Sequence, residues 1–116
     1  MPRDAVILSA VAVTIEPVLE AAARVTTELT VRTLFGRAVL QLVDPAGLAI
    51  LSIQNSTRVT DGDEVARLLP TAAPTPLPTW WTEAVVPWGP HGDVGARILA
   101  ELADRLGATL VLEDIS

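Results

Sequence analysis

The chain has no cysteine, no tyrosine and no lysine; its basic side chains are arginines and one histidine. Without cysteine it forms no disulfide and offers no thiolate to a metal or substrate, and the redox compartment stays open. Aromatic residues are almost as scarce. Phe35, Trp80, Trp81 and Trp88 are the whole set, 3% of the chain, so a core must be assembled from Val, Leu, Ile and Ala. Positive charge is also short: 8 arginines face 14 acidic residues, for a net charge of −6. Such a surface repels nucleic-acid backbones and anionic lipid, and neither is expected as a partner.

What is abundant is apolar aliphatic surface. Half of the residues are hydrophobic and the mean hydropathy is +0.45, which excludes disorder as the main state. A length of 116 residues suits one domain and is short for two. A single domain over 1–116 is expected, with the Pro-rich connection 70–79 inside it. A domain this small and this apolar points to a homodimer or a protein partner. The all-arginine basic set, with much Ala, Val, Pro and Leu, matches the codon bias of a GC-rich genome.

The apolar run Ala5–Ile15, followed by Ala21-Ala22-Ala23, imitates a signal peptide. Asp4 offsets Arg3 in the would-be basic region, however, and Glu16-Pro17 ends the run early. Spanning a bilayer takes about 20 apolar residues. The reading is therefore a buried strand over Ala5–Val13.

Thr14 can cap a helix with Pro17 in its first turn, and Ile15, Val18, Leu19, Ala22 and Val25 share one helical face. Thr30–Leu34, Arg37–Val43 and Leu48–Gln54 read as a β meander. Phe35-Gly36 makes its first turn and Asp44-Pro45-Ala46-Gly47 a type I second turn. Thr57–Val59 extends the sheet after a break at Asn55-Ser56. Asp61–Leu69 reads as a short helix with a capping box of Asp61 and Glu64, stopped by Pro70. Pro74, Pro76 and Pro78 make 71–79 an extended connection. Trp80–Val86 is a strand, and Pro87–Gly92 a loop. Asp93 caps a last helix with Val94, Ile98, Leu99, Leu102 and Leu106 on its apolar face, and Gly107 stops it. Thr109–Leu112 is the final strand. The fold class is α+β: a mostly antiparallel sheet of five to six strands, with two longer helices and one short helix packed on one face.

Several chemistries can be weighed against these elements. Gly89-Pro90-His91-Gly92-Asp93-Val94-Gly95 follows a strand, opens a helix and imitates a dinucleotide-binding turn. Its middle glycine is replaced by His91, Pro90 removes a backbone donor, and Asp93 puts negative charge where pyrophosphate would sit. A loop and helix start explains it better. His91 is the single histidine, and no serine lies in a nucleophile-elbow pattern for it to activate. There is no second histidine and no HExxH for a metal. Asp61-Gly62-Asp63-Glu64 lacks the ligand spacing of a calcium loop. Asn55-Ser56-Thr57 is a formal glycosylation sequon, without consequence in a bacterial cytosol. No cofactor, no metal and no catalytic residue are expected.

Trp80-Trp81 stands apart. Neighbours on a strand point to opposite faces, so one tryptophan enters the core while the other faces out or lies under the Pro-rich loop. Tryptophan is enriched at binding hot spots, and Trp88 follows seven residues on. Trp80, Trp81, Glu83 and Trp88 are the candidate protein-binding residues. The alternative is that this cluster only packs the domain.

The strand and turn Ala38-Val39-Leu40-Gln41-Leu42-Val43-Asp44-Pro45-Ala46-Gly47, the strand Trp80-Trp81-Thr82-Glu83-Ala84 and the helix Ala96–Leu106 running into Gly107-Ala108-Thr109 together resemble an uncharacterised actinobacterial family of small proteins encoded near type VII (ESX) secretion genes. The similarity covers about the last two-thirds of the chain, and Trp-Trp-Thr-Glu is its most specific element. The segment Pro87–Gly92 departs from the family's more regular pattern. The family brings no catalytic residues. The resemblance implies a bacterial cytoplasmic accessory role, and the leading expectation is an adaptor or chaperone-like accessory of type VII secretion. A different reading is an immunity-type protein that neutralises a toxin by binding it, since acidic charge suits a basic, nucleic-acid-cleaving site. A small enzyme using Glu83, His91 or Asp93 in a cleft is the third.

Overall fold

The structure, a computed structural model, describes residues 3–26, 28–36, 38–61, 63, 67 and 78–112. The element order is β1 (Arg3–Ser9), α1 (Ile15–Val25), β2 (Thr30–Leu34), β3 (Val39–Val43), β4 (Ala49–Gln54), β5 (Thr57–Val59), β6 (Thr79–Val86), α2 (Pro90–Leu106) and β7 (Thr109–Leu112). The architecture is α+β, as expected, but among the described residues the sheet has seven strands rather than five or six. Its order is β2-β3-β4-β6-β1-β7, and every pairing is antiparallel. β4 and β5 lie end to end along β6, separated by the break at Asn55-Ser56, and this adds the extra strand. The described residues hold two long helices; the short helix expected over 61–69 and most of the connection 70–79 lie outside them. Among the residues described there, the Asp61 carboxylate accepts from the Asp63 N–H at 2.9 Å.

Both helices pack on one face. Ala5, Ile7, Leu42, Leu51, Ile53, Ala84 and Val86 from the sheet meet Val18, Ala21 and Ala22 of α1 and Ile98, Leu99 and Leu102 of α2 in one buried aliphatic core. The apolar stripe of α2 is the one its 3.6-residue period predicts. That of α1 is rotated: Ala21 is buried, whereas Ile15 and Leu19 are exposed.

Local chemistry moves several boundaries. β1 stops at Ser9, not Val13, because the Ser9 hydroxyl donates to the Val11 carbonyl at 2.7 Å and turns the chain. Val13 then leaves the ladder and donates its N–H to Ser56 Oγ at 2.8 Å. Thr14 sits at the N-cap of α1, but its side chain makes no capping bond. β3 begins at Val39 because the Phe35-Gly36 turn closes through Ala38 N–H to the Phe35 carbonyl at 3.1 Å. The Asp44–Gly47 turn forms as read: the Gly47 N–H donates to the Asp44 carbonyl, Asp44 Oδ1 accepts from Ala46 and Leu48, and Gly47 takes φ +86°. α2 begins at Pro90 with Gly89 at the N-cap, so Asp93 lies in its first turn rather than at the cap. Gly107 ends α2 in the left-handed conformation, φ +59°.

Candidate functional site

β6 is a central strand between β1 on one side and β4 with β5 on the other. Its alternation divides the tryptophan pair. Trp80 shares a face with Thr82, Ala84 and Val86, the face the helices cover, and is half-buried at the strand's start. Trp81 points to the opposite face, where it packs with Val6, Leu8, Val59 and Val111 in a second, smaller apolar cluster whose described residues all lie on strands. Leu8 is 2% exposed in it, while Trp81 keeps part of its surface. Glu83 is exposed on this same face, two residues along, and pairs across the ladder with Val6. Asp4, also exposed, is next on that face of β1.

The other half of this face is polar. Arg32 Nε donates to Gln41 Oε1 at 2.6 Å, and Gln41 Nε2 donates to Ser52 Oγ at 3.1 Å, forming a side-chain ladder across β2, β3 and β4. The face opposite the helices therefore holds an aliphatic patch around one tryptophan, with two acids on β1 and β6 and a polar ladder that carries the Arg32 charge.

Trp88 is not part of that patch. It follows the end of β6, and seven residues of extended chain from Trp81 span about 23 Å. Trp88 is 38% exposed, with the Arg3 guanidinium 5.0 Å from its ring centroid, a cation–π contact. The same Arg3 reaches Asp93 Oδ1 at 3.3 Å and the Pro87 carbonyl at 3.4 Å. Trp88 and Asp93 thus pin the start of α2 against the start of β1. Of the four candidate residues, the fold brings Trp81 and Glu83 together and sets Trp80 and Trp88 elsewhere.

The glycine-rich segment has a packing role. A side chain at Gly92 would overlap the Pro87 carbonyl, and one at Gly95 the Ile50 carbonyl. These glycines let the α2 backbone settle onto the loop and the sheet, and His91 occupies the first turn of the same helix.

Sequence reasoning passed over a cavity of about 490 Å³ between the N-terminal half of α1 and the β2–β3–β4 side of the sheet. Val13, Ile15, Val18, Leu40 and Ile53 supply its apolar walls, and Thr14, Thr33, Gln54 and Asn55 its neutral polar ones. Neither Glu83 nor Asp93 lines it. Its apolar residues read in the sequence as ordinary core positions. The one signal pointing there is Phe35, an aromatic residue in a turn.

No group of three or more potential metal ligands occurs among the described residues. Among them, no helix is long and apolar enough to cross a membrane. Comparison of the chain with protein-family models, curated proteins and solved structures yields no match.

Proposed function

We propose that the chain is a non-enzymatic protein-binding module whose working surface is the aliphatic half of the sheet face opposite the helices, centred on Trp81 and edged by Glu83 and Asp4. The observation that carries this reading is Trp81 itself: a partly exposed tryptophan on a sheet face that neither helix covers, seated on Val6, Leu8, Val59 and Val111. A large ring held by a rigid strand loses little entropy on contact, and a buried apolar centre with charged edges is the anatomy of a binding hot spot. The two carboxylates favour a partner segment that carries basic as well as apolar side chains.

An adaptor or chaperone-like accessory of type VII secretion in the cytoplasm is the physiological role that the Trp80-Trp81-Thr82-Glu83-Ala84 resemblance supports. The acidic edge also suits the immunity reading, in which the partner is a basic toxin. The nature of the partner separates the two: a secreted substrate for the adaptor, a toxin whose activity is abolished on binding for the immunity protein.

The test compares capture of partners from the native host by the wild-type chain and by Trp81→Ala, Glu83→Arg and Trp88→Ala. Trp81→Ala is expected to weaken a stoichiometric complex by at least about 2 kcal/mol. Glu83→Arg, at an exposed position, should weaken it while leaving the fold intact, and Trp88→Ala should retain it. A complex indifferent to Glu83→Arg and to a folded Trp81→Ala would overturn the assignment.

A further inference from the structure

The cavity beneath α1 and the exposure of Phe35 belong together. Among the described residues six large hydrophobics are exposed. One of them, Ile15, lines this cavity, and three more lie close to its lining along the chain: Val11 two residues before Val13, Leu19 one residue after Val18, and Phe35 two residues after Thr33, within about 7 Å of chain.

Phe35 is the most exposed of the six, at 83%, and its φ is +53°. A bulky side chain in the left-handed region is an outlier for which glycine or asparagine is better suited. The ring thus violates both the turn's conformational preference and the hydrophobic effect, and its own fold offers it no cover. A cavity of roughly 150 Å³ already admits benzene, so this one has ample room for a phenyl ring. No described lining residue is charged, so a phenyl ring from a second copy would enter the cavity without displacing a carboxylate from its described walls.

We propose that this side of the molecule is a homodimer interface in which Phe35 of each copy enters the α1–sheet cavity of the other. Knob and hole lie at the same end of the β2–β3 hairpin, and one two-fold axis satisfies both contacts, as an isologous interface requires. A small apolar ligand would match the cavity walls but would leave Phe35 in water, which is why a second copy is the better occupant. The interface uses the helix side of the sheet and leaves the Trp81 face free, so this proposal stands or fails separately from the function proposed above.

The experiment is the molar mass of the purified chain by light scattering across a wide concentration range, with Phe35→Asn and Val13→Phe alongside. The wild type should give a dimer mass that falls to the monomer on dilution. Phe35→Asn accepts the left-handed turn and removes the knob; Val13→Phe fills the hole from within. Each should raise the dimer dissociation constant at least about tenfold, and Trp81→Ala should leave it unchanged. Circular dichroism identifies the folded variants, and Phe35→Asn decides alone if Val13→Phe does not fold. A strictly monomeric wild type, or a dimer indifferent to Phe35→Asn, overturns the proposal. So does a monomer that binds one apolar dye molecule per chain in a manner lost in Val13→Phe, which would make the cavity a small-molecule site.

Discussion

The two helices cover the same sheet face in different ways. α2 lies flat on it: Gly92 and Gly95 bring its backbone against the Pro87 and Ile50 carbonyls, and Ile98, Leu99 and Leu102 are fully buried. α1 leans on α2 through Val18, Ala21 and Ala22 and stands off the β2–β3–β4 side, leaving the cavity below it and Ile15 and Leu19 in solvent. Both helices have an apolar stripe. What separates them is where the small residues lie. On α2 Gly95 faces the sheet and Gly92 the Pro87 loop, whereas the alanines of α1 lie among the residues packed in the core with α2. How closely a helix approaches is thus decided by a few positions that lack bulk, and not by how hydrophobic the helix is.

The strongest way to break this comparison is to put bulk where α2 touches the sheet. Gly95→Val places its Cβ on the Ile50 carbonyl oxygen and against the Val86 side chain. Backbone cannot yield as a flexible side chain can, so the helix must lift. The expected loss is about 3 kcal/mol or more of unfolding free energy in urea. A loss below about 1 kcal/mol would mean that α2 has slack comparable to α1, and the contrast between the helices would disappear.

A paired truncation sharpens the same contrast. Leu102→Ala removes a fully buried side chain of α2 and should cost about 3 kcal/mol. Ile15→Ala removes a side chain of α1 that is 45% exposed, and alanine is the better helix former. Its effect on monomer stability should stay within about 0.5 kcal/mol. Equal losses at the two positions would show that α1 is seated as firmly as α2.

Much of this asymmetry was beyond the sequence, for identifiable reasons. The meander, the Asp44–Gly47 turn, the Thr57–Val59 extension and the Gly107 stop are legible because each follows from local backbone chemistry. The division of Trp80 from Trp81 follows from strand alternation alone. The end of β1 was misread because Ala10–Val13 continues the apolar run, while the signal that ends the strand is one hydroxyl bond from Ser9. The glycine-rich segment reads as a loop ending in an Asp93 cap, whereas the helix already starts at Pro90, and the contacts that require Gly92 and Gly95 come from Pro87 and Ile50, the second remote in sequence. The cavity left no trace for a similar reason. Val13, Leu40 and Ile53 look alike whether a helix sits on them or stands away, and that height is set by α2.

The smallest expected effect asks what holds α1 in its leaning position. Arg105 of α2 reaches Glu20 of α1 at 3.0 Å and Glu101 of its own helix at 3.4 Å, and Arg24 of α1 approaches Glu101 at 3.8 Å. Glu20 and Arg24 are largely solvated and no ion of the set is fully buried, so such pairs contribute little. If α1 is held by the burial of Val18, Ala21 and Ala22, Arg105→Gln should lower stability by no more than about 0.5 kcal/mol, and the deficit should shrink further in high salt. Thermal unfolding of both proteins at low and high ionic strength measures it. A deficit above about 1 kcal/mol that salt removes would assign the lean of α1 to charge. Standing off the sheet would then be a consequence of where Glu20 and Arg105 meet, with the alanine contacts following from it. A deficit that is small at low salt and fades at high salt leaves the alanines as the cause, which ties the cavity to packing that persists under any ionic condition in which the core itself survives.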